Sequence, residues 1–208
     1  IGVKRLMGIM SKYAPCAGDF KEVIGTKPGS EDVIKHGPSI NDPLSAIVFK
    51  TISEEHIGEM SFFRVYSGKV NVGDDLHNTS RNQSEKMRQV YFMNGKNRKD
   101  APQLIAGDIG AALKLKNTHT GDTLANSKSP IELATIPFPT PTTSKAVRPE
   151  TRGDEEKIAT GLSVLHEEDP TFIYRVDPEL KQTIISGQGE FHLELALKRI
   201  SKRFKVKL

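Results

Sequence analysis

Potential metal ligands and acid–base groups cluster where residues 166–169 read His-Glu-Glu-Asp. This run precedes Pro170 at the expected end of a helix, where consecutive side chains do not face one another. Further along, one residue separates His192 from Glu194, so the two histidines of a metal-binding H-E-x-x-H motif have no counterpart. We therefore predict no catalytic residue and no metal site, and interpret the run as a solvated cap or a partner-facing acidic spot.

Two other segments have the composition of nucleotide-binding motifs but not their order. Residues 25–30 read G-T-K-P-G-S, whereas a phosphate loop needs G-x-x-x-x-G-K-[S/T] so that backbone amides and a lysine meet the phosphates. Residues 97–100 read N-R-K-D, which misorders the guanine-reading N-K-x-D. This chain is therefore expected to bind no nucleotide cofactor.

Positive charge is concentrated in two clusters, although the formal net charge is only +4. The middle cluster contains Arg81, Lys86, Arg88, Lys96, Arg98 and Lys99. The C-terminal cluster contains Lys198, Arg199, Lys202, Arg203, Lys205 and Lys207. A solvated surface and a contact with RNA phosphates both account for such clusters, because unbalanced like charge lowers stability unless an anion meets it.

Two further features have both a structural and a binding interpretation. The Gly187-Gln188-Gly189 bend before a helix could hold an anion on free amides, but such bends usually only turn the chain. Aromatic residues could stack on RNA bases, but their spacing of two in strands favours a core: Phe62, Phe63, Tyr66, Tyr91 and Phe92.

Composition indicates a globular protein of two small domains. The 208 residues are 36% hydrophobic and 27% charged. No apolar run approaches the roughly 18 residues of a membrane span, and the first residues do not show the charged-then-apolar pattern of a secretory signal. One cysteine, Cys16, excludes an internal disulfide and fits a reducing cytoplasm. The start at Ile1 suggests an excised piece of a longer chain.

The first 135 residues predict a helix, a connecting segment and a β domain. Apolar residues recur at helical spacing over residues 1–14, and Gly and Pro mark residues 15–40 as a connection. Short β-like runs then alternate with turn signals, at 45–52, 59–66, 75–79, 86–93, 109–115 and 131–133. Such spacing without a long helix favours a small closed β-barrel over residues 41–135.

Residues 136–208 predict an α+β domain after a proline-rich spacer at 137–141. A strand near 144–147, a helix capped by Asp154, two strands about an Asp177-Pro178 turn and a basic helix follow in order. This is most of a ferredoxin-like split β-α-β fold. Its last strand could only begin at 205–208, so we expect a truncated domain with an unpaired edge.

Several motifs resemble translation elongation factor G, the ribosomal translocation GTPase family. The third domain of that family is matched by D-P-T-F at 169–172, Q-T-I-I-S-G at 182–187 and G-E-F-H-L-E at 189–194. Its second domain is matched by D-P-L-S-A-I-V-F-K at 42–50, F-F-R-V-Y-S-G at 62–68, A-G-D-I at 106–109 and T-G-D-T-L at 120–124. On this resemblance, residues 1–40 are the last helix of a GTPase domain and a linker.

The resemblance implies a parent that hydrolyses GTP on the ribosome, with GTP and Mg²⁺ held by a GTPase domain outside this chain. The barrel would rest on small-subunit ribosomal RNA and protein in the cytoplasm, and the third domain would contact the GTPase domain and the C-terminal domains. The resemblance implies ribosomal RNA contacts at His56, Gly58, Arg81, Lys86 and Arg88. It also places an interdomain joint of the kind that binds fusidic acid at Pro141, Phe172, His192 and Arg199.

Some residues depart from the family pattern. Gln188 and Phe191 replace the usual Met and Leu of S-G-M-G-E-L-H, and Thr142-Thr143 replaces V-I after Pro141. The sequence is therefore also compatible with a duplicated or specialised paralogue of the housekeeping factor. A ribosomal-protection or recycling GTPase and a free-standing RNA-binding module stay open as well, and the amphipathic helix at 1–14 argues against the free-standing module.

Overall fold

The structure is a computed structural model that describes residues 2–54, 57–148, 150, 153–177 and 182–207. The chain divides into two compact units. The first consists of Ile1–Val48, Phe62–Thr118 and Asp122–Ala134, and the second of Phe49–Ser61, His119–Gly121 and Thr135–Leu208. No helix in the described part of the chain is long and apolar enough to cross a membrane.

The first helix, α1 (Val3–Tyr13), lies where the apolar spacing predicts it. It ends before Pro15, and the Ala14 amide donates to the Met10 carbonyl at 2.9 Å. None of its residues is buried, although Leu6, Met7 and Met10 recur on one face. The described residues of this chain therefore leave the apolar face of α1 exposed.

Thirteen strands follow in the part of the chain before residue 135 that the structure describes, and every register recorded between them is antiparallel. They are β1 (Val23–Thr26), β2 (Val33–His36), β3 (Ser45–Glu54), β4 (Gly58–Ser67), β5 (Lys69–Asn71), β6 (Asp75–Asn78), β7 (Gln83–Lys86), β8 (Val90–Asn94), β9 (Asn97–Asp100), β10 (Gln103–Ile105), β11 (Ile109–Leu113), β12 (Thr123–Ala125) and β13 (Glu132–Leu133). Eight pair in the order β7-β6-β12-β3-β4-β11-β8-β9, while β10-β5 and β13-β1-β2 form smaller sheets.

The predicted β-rich domain is confirmed, but the predicted closure of its barrel is not. Strands β7 and β9 end the eight-stranded ladder, and the described residues contain no ladder between them. The Gly73 amide donates to Met87 O at 2.7 Å and the Ala101 amide to Val90 O at 2.9 Å, and these bonds continue the β6–β7 and β8–β9 pairings without joining β7 to β9. The β5–β10 ribbon contributes Val70 and Leu104 to the same core.

Residues 86–93, predicted as one strand, are divided between β7 and β8. The buried Met87 continues the β6–β7 pairing by one residue, because its amide donates to Asp74 O at 2.9 Å and its carbonyl accepts from Gly73. Val90, where β8 begins, pairs instead with Ala112 of β11, so the chain changes partner strand between these residues. Arg88 lies in this interruption.

Gly68 allows a close backbone approach at the end of β4. Its φ is +72°, and a Cβ there would lie 2.7 Å from Asp42 O and from Leu44 Cα. Only glycine combines this left-handed conformation with such a contact. On the strand before it, the Ser67 hydroxyl donates to Pro43 O at 2.6 Å, so β4 is fixed to the start of β3.

The second unit is the predicted α+β fold. Its elements after residue 135 are β14 (Thr143–Val147), α2 (Glu155–Glu168), β15 (Ile173–Asp177), β16 (Gln182–Gly187) and α3 (Glu190–Phe204). The antiparallel sheet has the order β14-β16-β15. Both helices pack closely, since a Cβ on Gly161 of α2 would lie 3.0 Å from Ile200 Cγ2 of α3. The buried core joins both helices to the sheet through Leu162, Phe172, Ile185 and Leu193.

The ends of these elements differ in part from the prediction. Asp154 occupies the N-cap position of α2 but forms no side-chain cap bond, and its Oδ1 accepts from Lys157 Nζ at 2.8 Å. No strand forms at 205–207, although the buried Val206 joins the core and the Glu150 amide donates to Lys207 O at 3.3 Å. Pro178 of the predicted turn and Leu208 lie outside the described residues.

Candidate functional site

Three of the four predicted joint residues meet around one small cavity in the second unit. The cavity has a volume of about 120 Å³, and Phe172, His192 and Arg199 line it together with Leu165 and Asp169. Phe172 comes from the turn after α2, while His192 and Arg199 lie two turns apart on α3. The packing of α3 against the sheet therefore brings together residues far apart in sequence.

His192 is held in one orientation and one tautomer. The Gln188 amide donates to its Nδ1 at 3.1 Å, so the ring proton is on Nε2 when the ring is neutral. Nε2 then donates to Asp169 Oδ2 at 3.1 Å. A Cβ on Gly187 would lie 2.9 Å from His192 Nδ1, so the glycine bend makes room for the ring. The bend is a positioning element for His192.

Asp169 connects this histidine to the turn after α2. Its Oδ1 accepts from the Thr171 amide at 2.9 Å and from the Thr171 hydroxyl at 2.6 Å. Partial burial alone would raise the pKa of Asp169, but the bonds from Thr171 and the nearby His192 outweigh burial and leave the pKa below its usual value. The carboxylate is therefore charged at neutral pH and anchors the ring.

Phe172 has a structural role at this site. It is only 1% exposed, and its ring contacts His192 edge-on with centroids 6.3 Å apart. Arg199 is exposed on α3, so its guanidinium is accessible beside the cavity. One buried aromatic, one fixed imidazole and one accessible cation therefore form the site.

Pro141 does not line the cavity but lies next to the glycine bend. The Thr142 amide donates to Gly187 O at 2.9 Å, and the Thr142 hydroxyl donates to Gln188 O at 3.1 Å. The Gln188 side-chain amide donates to Pro139 O at 3.1 Å. Two of the positions that depart from the family pattern, Thr142 and Gln188, are therefore hydrogen-bonded to each other, and Gln188 is also bonded to the proline-rich segment. Their separation in sequence did not reveal these contacts.

The candidate RNA-contact residues that the structure describes are divided between the two units. Lys86 ends β7, and Arg88 follows it; both are exposed. Gly58 opens β4 with a φ of +91° and belongs to the second unit. His56 lies outside the described residues.

Arg81 is engaged within the first unit. Its Nε donates to Asp122 Oδ2 at 2.8 Å, and its amide donates to Asn78 Oδ1 at 3.2 Å. Asn78 and Asp122 are buried and joined by a 2.9 Å bond. Arg81 therefore holds the turn between β6 and β7, in addition to any contact its exposed half makes.

Most other basic side chains of the two clusters are exposed. On the first unit these are Lys96, Arg98 and Lys99, and on the second unit Lys198, Lys202, Lys205 and Lys207. Arg203 differs, because its guanidinium donates to Glu168 Oε1 at 3.1 Å and to Ser53 Oγ at 2.9 Å. Phe63 of the aromatic set is fully buried, whereas Phe92 is 39% exposed.

The acidic run at 166–169 is divided among separate partners. His166 Nδ1 lies 2.7 Å from Phe172 O, Glu167 pairs with His119, Glu168 with Arg203 and Asp169 with His192. No group of three or more potential ligands is placed to hold a metal ion within the described ranges. Residues 97–100 form β9, and residues 25–26 end β1.

Comparisons with known proteins agree on both parts of the chain. A family model described as Elongation factor G domain 2 matches residues 43–127, and one described as Elongation Factor G, domain III, matches residues 138–208. Proteins named elongation factor G from three strains of Dehalococcoides mccartyi are 39% identical over 205 residues. That match covers 99% of this chain and 30% of each relative, so the chain spans about a third of their length.

A solved structure supports the fold. A crystal structure of a protein from Thermus thermophilus superposes with a TM-score of 0.76 and 24% sequence identity. The match covers 100% of this chain and 28% of that chain. The arrangement of sheets and helices is therefore shared with a much longer protein.

Proposed function

The chain belongs to the elongation factor G family, and from that premise we propose that it is the ribosome-binding and interdomain-coupling part of a translational GTPase. GTP and Mg²⁺ would be bound by a GTPase domain that this chain does not contain. The observation that carries the proposal is the match of two successive domain families, in their order, to residues 43–127 and 138–208. The cytoplasm, where ribosomes act, is the proposed location.

We propose that Lys86 and Arg88 contact ribosomal RNA phosphates on the small subunit. Both side chains are exposed, and Lys86 is only loosely paired, with its Nζ 4.0 Å from Asp75 Oδ1. An exposed pair at that distance contributes little stability, so Lys86 can exchange the carboxylate for a phosphate. Arg81 is the poorer test residue, because replacing it would also leave the buried Asp122 without its 2.8 Å partner.

Replacing Lys86 and Arg88 together by Ala is expected to weaken binding to purified small ribosomal subunits. Each phosphate contact releases about one counterion, so the slope of log affinity against log salt should fall by about two units if both residues make a contact. Fluorescence anisotropy of the labelled chain, titrated with subunits over a range of KCl concentrations, measures both quantities.

The matched control replaces Lys27 and Lys128 by Ala. Both lysines are also exposed, and their replacement removes the same charge from the first unit. It should leave the salt slope near that of the unchanged chain. An unchanged slope in the Lys86/Arg88 variant would exclude this surface, and equal losses in both variants would show a general charge effect.

We also propose that Pro141, Phe172, His192 and Arg199 form one wall of a joint with the GTPase domain. The support is geometric: three of these residues line one cavity, and Pro141 adjoins the bend that fixes His192. Through this joint, the nucleotide bound to the GTPase domain would alter the position of the second unit relative to that domain. In the full factor, fusidic acid would occupy the joint between the GTPase, second and third domains.

Replacing His192 or Arg199 by Ala in the full factor should raise the fusidic acid concentration needed for half-maximal stalling on ribosomes by about tenfold or more. The reason is that each change would remove a hydrogen bond between a polar or charged side chain and the bound drug. Such a bond is worth about 1.5 kcal/mol or more. Lys198→Ala, an exposed neighbour on α3, is the control and should leave stalling unchanged. If the unchanged factor stalls and both variants stall equally well, the proposed wall is wrong.

A specialised paralogue is the second candidate function. The observation that favours it is the hydrogen bond from the Thr142 hydroxyl to Gln188 O, which joins two of the positions that depart from the family pattern, together with the bond from the Gln188 side chain to Pro139 O. These contacts alter the surface of the bend beside His192. Translocation assays with Gln188→Met would test whether the departure changes activity on the ribosome.

A further inference from the structure

We infer that a cavity of about 380 Å³ in the first unit binds a small aromatic carboxylate, with its acidic group at Arg64 and its ring on the apolar walls. The volume lies within the range of small-molecule sites. All lining residues belong to the first unit, and they come from residues 17–24, the adjoining strands and the turn at Ala106–Gly107. This site is independent of the proposed ribosome contacts.

The walls of the cavity are largely apolar. Val23, Ile47 and Leu133 line it and are buried. Phe20 and Ile24 also line it, yet they are 53% and 54% exposed. Large apolar side chains that line a cavity and remain exposed favour a ligand with an apolar body, because covering them removes apolar surface from water.

Arg64 supplies the positive charge in the lining of the cavity. Its Nε is buried and has no hydrogen-bond partner among the described atoms. The described residues also offer it no carboxylate within ion-pair distance, and Glu22, the acidic residue of the lining, is 2.8 Å from Lys35 Nζ. A buried donor without a partner is unfavourable, so an anion at this guanidinium would gain a charge-assisted bond.

The surroundings of Arg64 favour a planar ligand. Its guanidinium lies 5.3 Å from the Tyr66 ring centroid and 5.9 Å from that of Phe20. The planar guanidinium and the two aromatic rings beside it present flat surfaces next to the hydrogen-bond donors of Arg64. An aromatic ring bearing a carboxylate matches both features at once.

The wall formed by residues 17–24 is fixed in place. Gly107 has a φ of +98°, and a Cβ there would lie 2.7 Å from Ala17 Cβ, so the short helical turn at Ala17–Asp19 packs directly on it. The β1 strand that follows pairs with both β2 and β13. The cavity is therefore preformed, which favours binding because little ordering is needed.

The test is an NMR titration of the full chain with naphthoate and with its neutral counterpart, naphthalene methanol. Naphthoate is expected to shift the amide signals of Ile24, Tyr66 and Gly107 saturably, and the neutral compound to bind at least about tenfold more weakly. Arg64→Met should weaken naphthoate about tenfold, which corresponds to about 1.4 kcal/mol. Arg98→Met, on exposed β9, is the matched control and should change nothing.

A second pair of variants tests the site without altering Arg64. Ile24 is exposed on β1, so both replacements are expected to fold. Ile24→Glu places a carboxylate in the cavity that competes with the ligand and should weaken naphthoate about tenfold, while Ile24→Gln should weaken it far less. Absence of saturable shifts, equal affinity for both compounds, or equal effects of Glu and Gln would each overturn the assignment.

Discussion

Phe172→Ala is expected to lower the free energy of unfolding of the second unit by about 3–5 kcal/mol. Phe172 is 1% exposed and packs in the core with Leu162, Leu165 and Leu193. Its removal leaves a cavity and also removes the edge-on contact with the His192 ring. Urea denaturation followed by far-ultraviolet circular dichroism measures the change.

Ile173→Ala, at the next position, is the matched control. Its side chain is 42% exposed, so its replacement should cost about 1 kcal/mol or less. If Phe172→Ala cost no more than this control, Phe172 would not be the core residue that its burial indicates. Because Phe172→Ala would disturb the whole unit, its effect on fusidic acid could not be assigned to a lost drug contact.

The second-unit elements could be predicted from the sequence because their signals are local. The spacing of Ile158, Leu162 and Leu165 places one apolar face on α2, and all three are buried. Gly187 ends β16 and Gly189 is the N-cap of α3, as their position before an amphipathic run indicates. The bond between Asp169 and His192 could not be predicted, because it depends on the packing of α3 over the turn.

The first unit shows the limit of local patterns more clearly. Turn signals located β3, β4, β6, β8, β11 and β13 but not the short strands β5, β9, β10 and β12. Closure of a barrel depends in addition on pairing between strands distant in sequence. The Met87 amide and carbonyl continue the β6–β7 pairing, whereas Val90 pairs with Ala112 of β11. The alternation of apolar and polar residues over 86–93 does not indicate where one strand ends and the next begins.

Arg81 illustrates the same limit for a functional residue. In the sequence it is one cation of a basic cluster, which predicts RNA contact. The structure joins its Nε to Asp122, 41 positions away, so at least part of its role is to hold a turn. Charge clusters show where cations are abundant, but not which of them are already paired within the protein.

Glu85→Ala is expected to lower the free energy of unfolding of the first unit by about 3 kcal/mol. Glu85 is 3% exposed, and its carboxylate accepts from the amides of Lys116 and Asn117 at 3.1 and 2.6 Å and from the Thr118 hydroxyl at 3.0 Å. Removing the acceptor leaves the buried Thr118 hydroxyl and two backbone amides without this partner, and hydrogen bonds to charged groups are each worth about 1.5–3 kcal/mol. Urea denaturation of the chain measures the loss.

Glu85→Gln distinguishes the carboxylate from the space it fills. One oxygen of Gln can still accept from Asn117 and Thr118, but its amide group faces the Lys116 amide donor, so a smaller loss of about 1–2 kcal/mol is expected. Glu31→Gln, at an exposed position, should change stability by less than about 0.5 kcal/mol. Hydrogen exchange at the Lys116 and Asn117 amides should accelerate in both Glu85 variants. Unchanged exchange, or equal stability of the Ala and Gln variants, would show that the carboxylate does not organise the segment from Lys116 to Thr118.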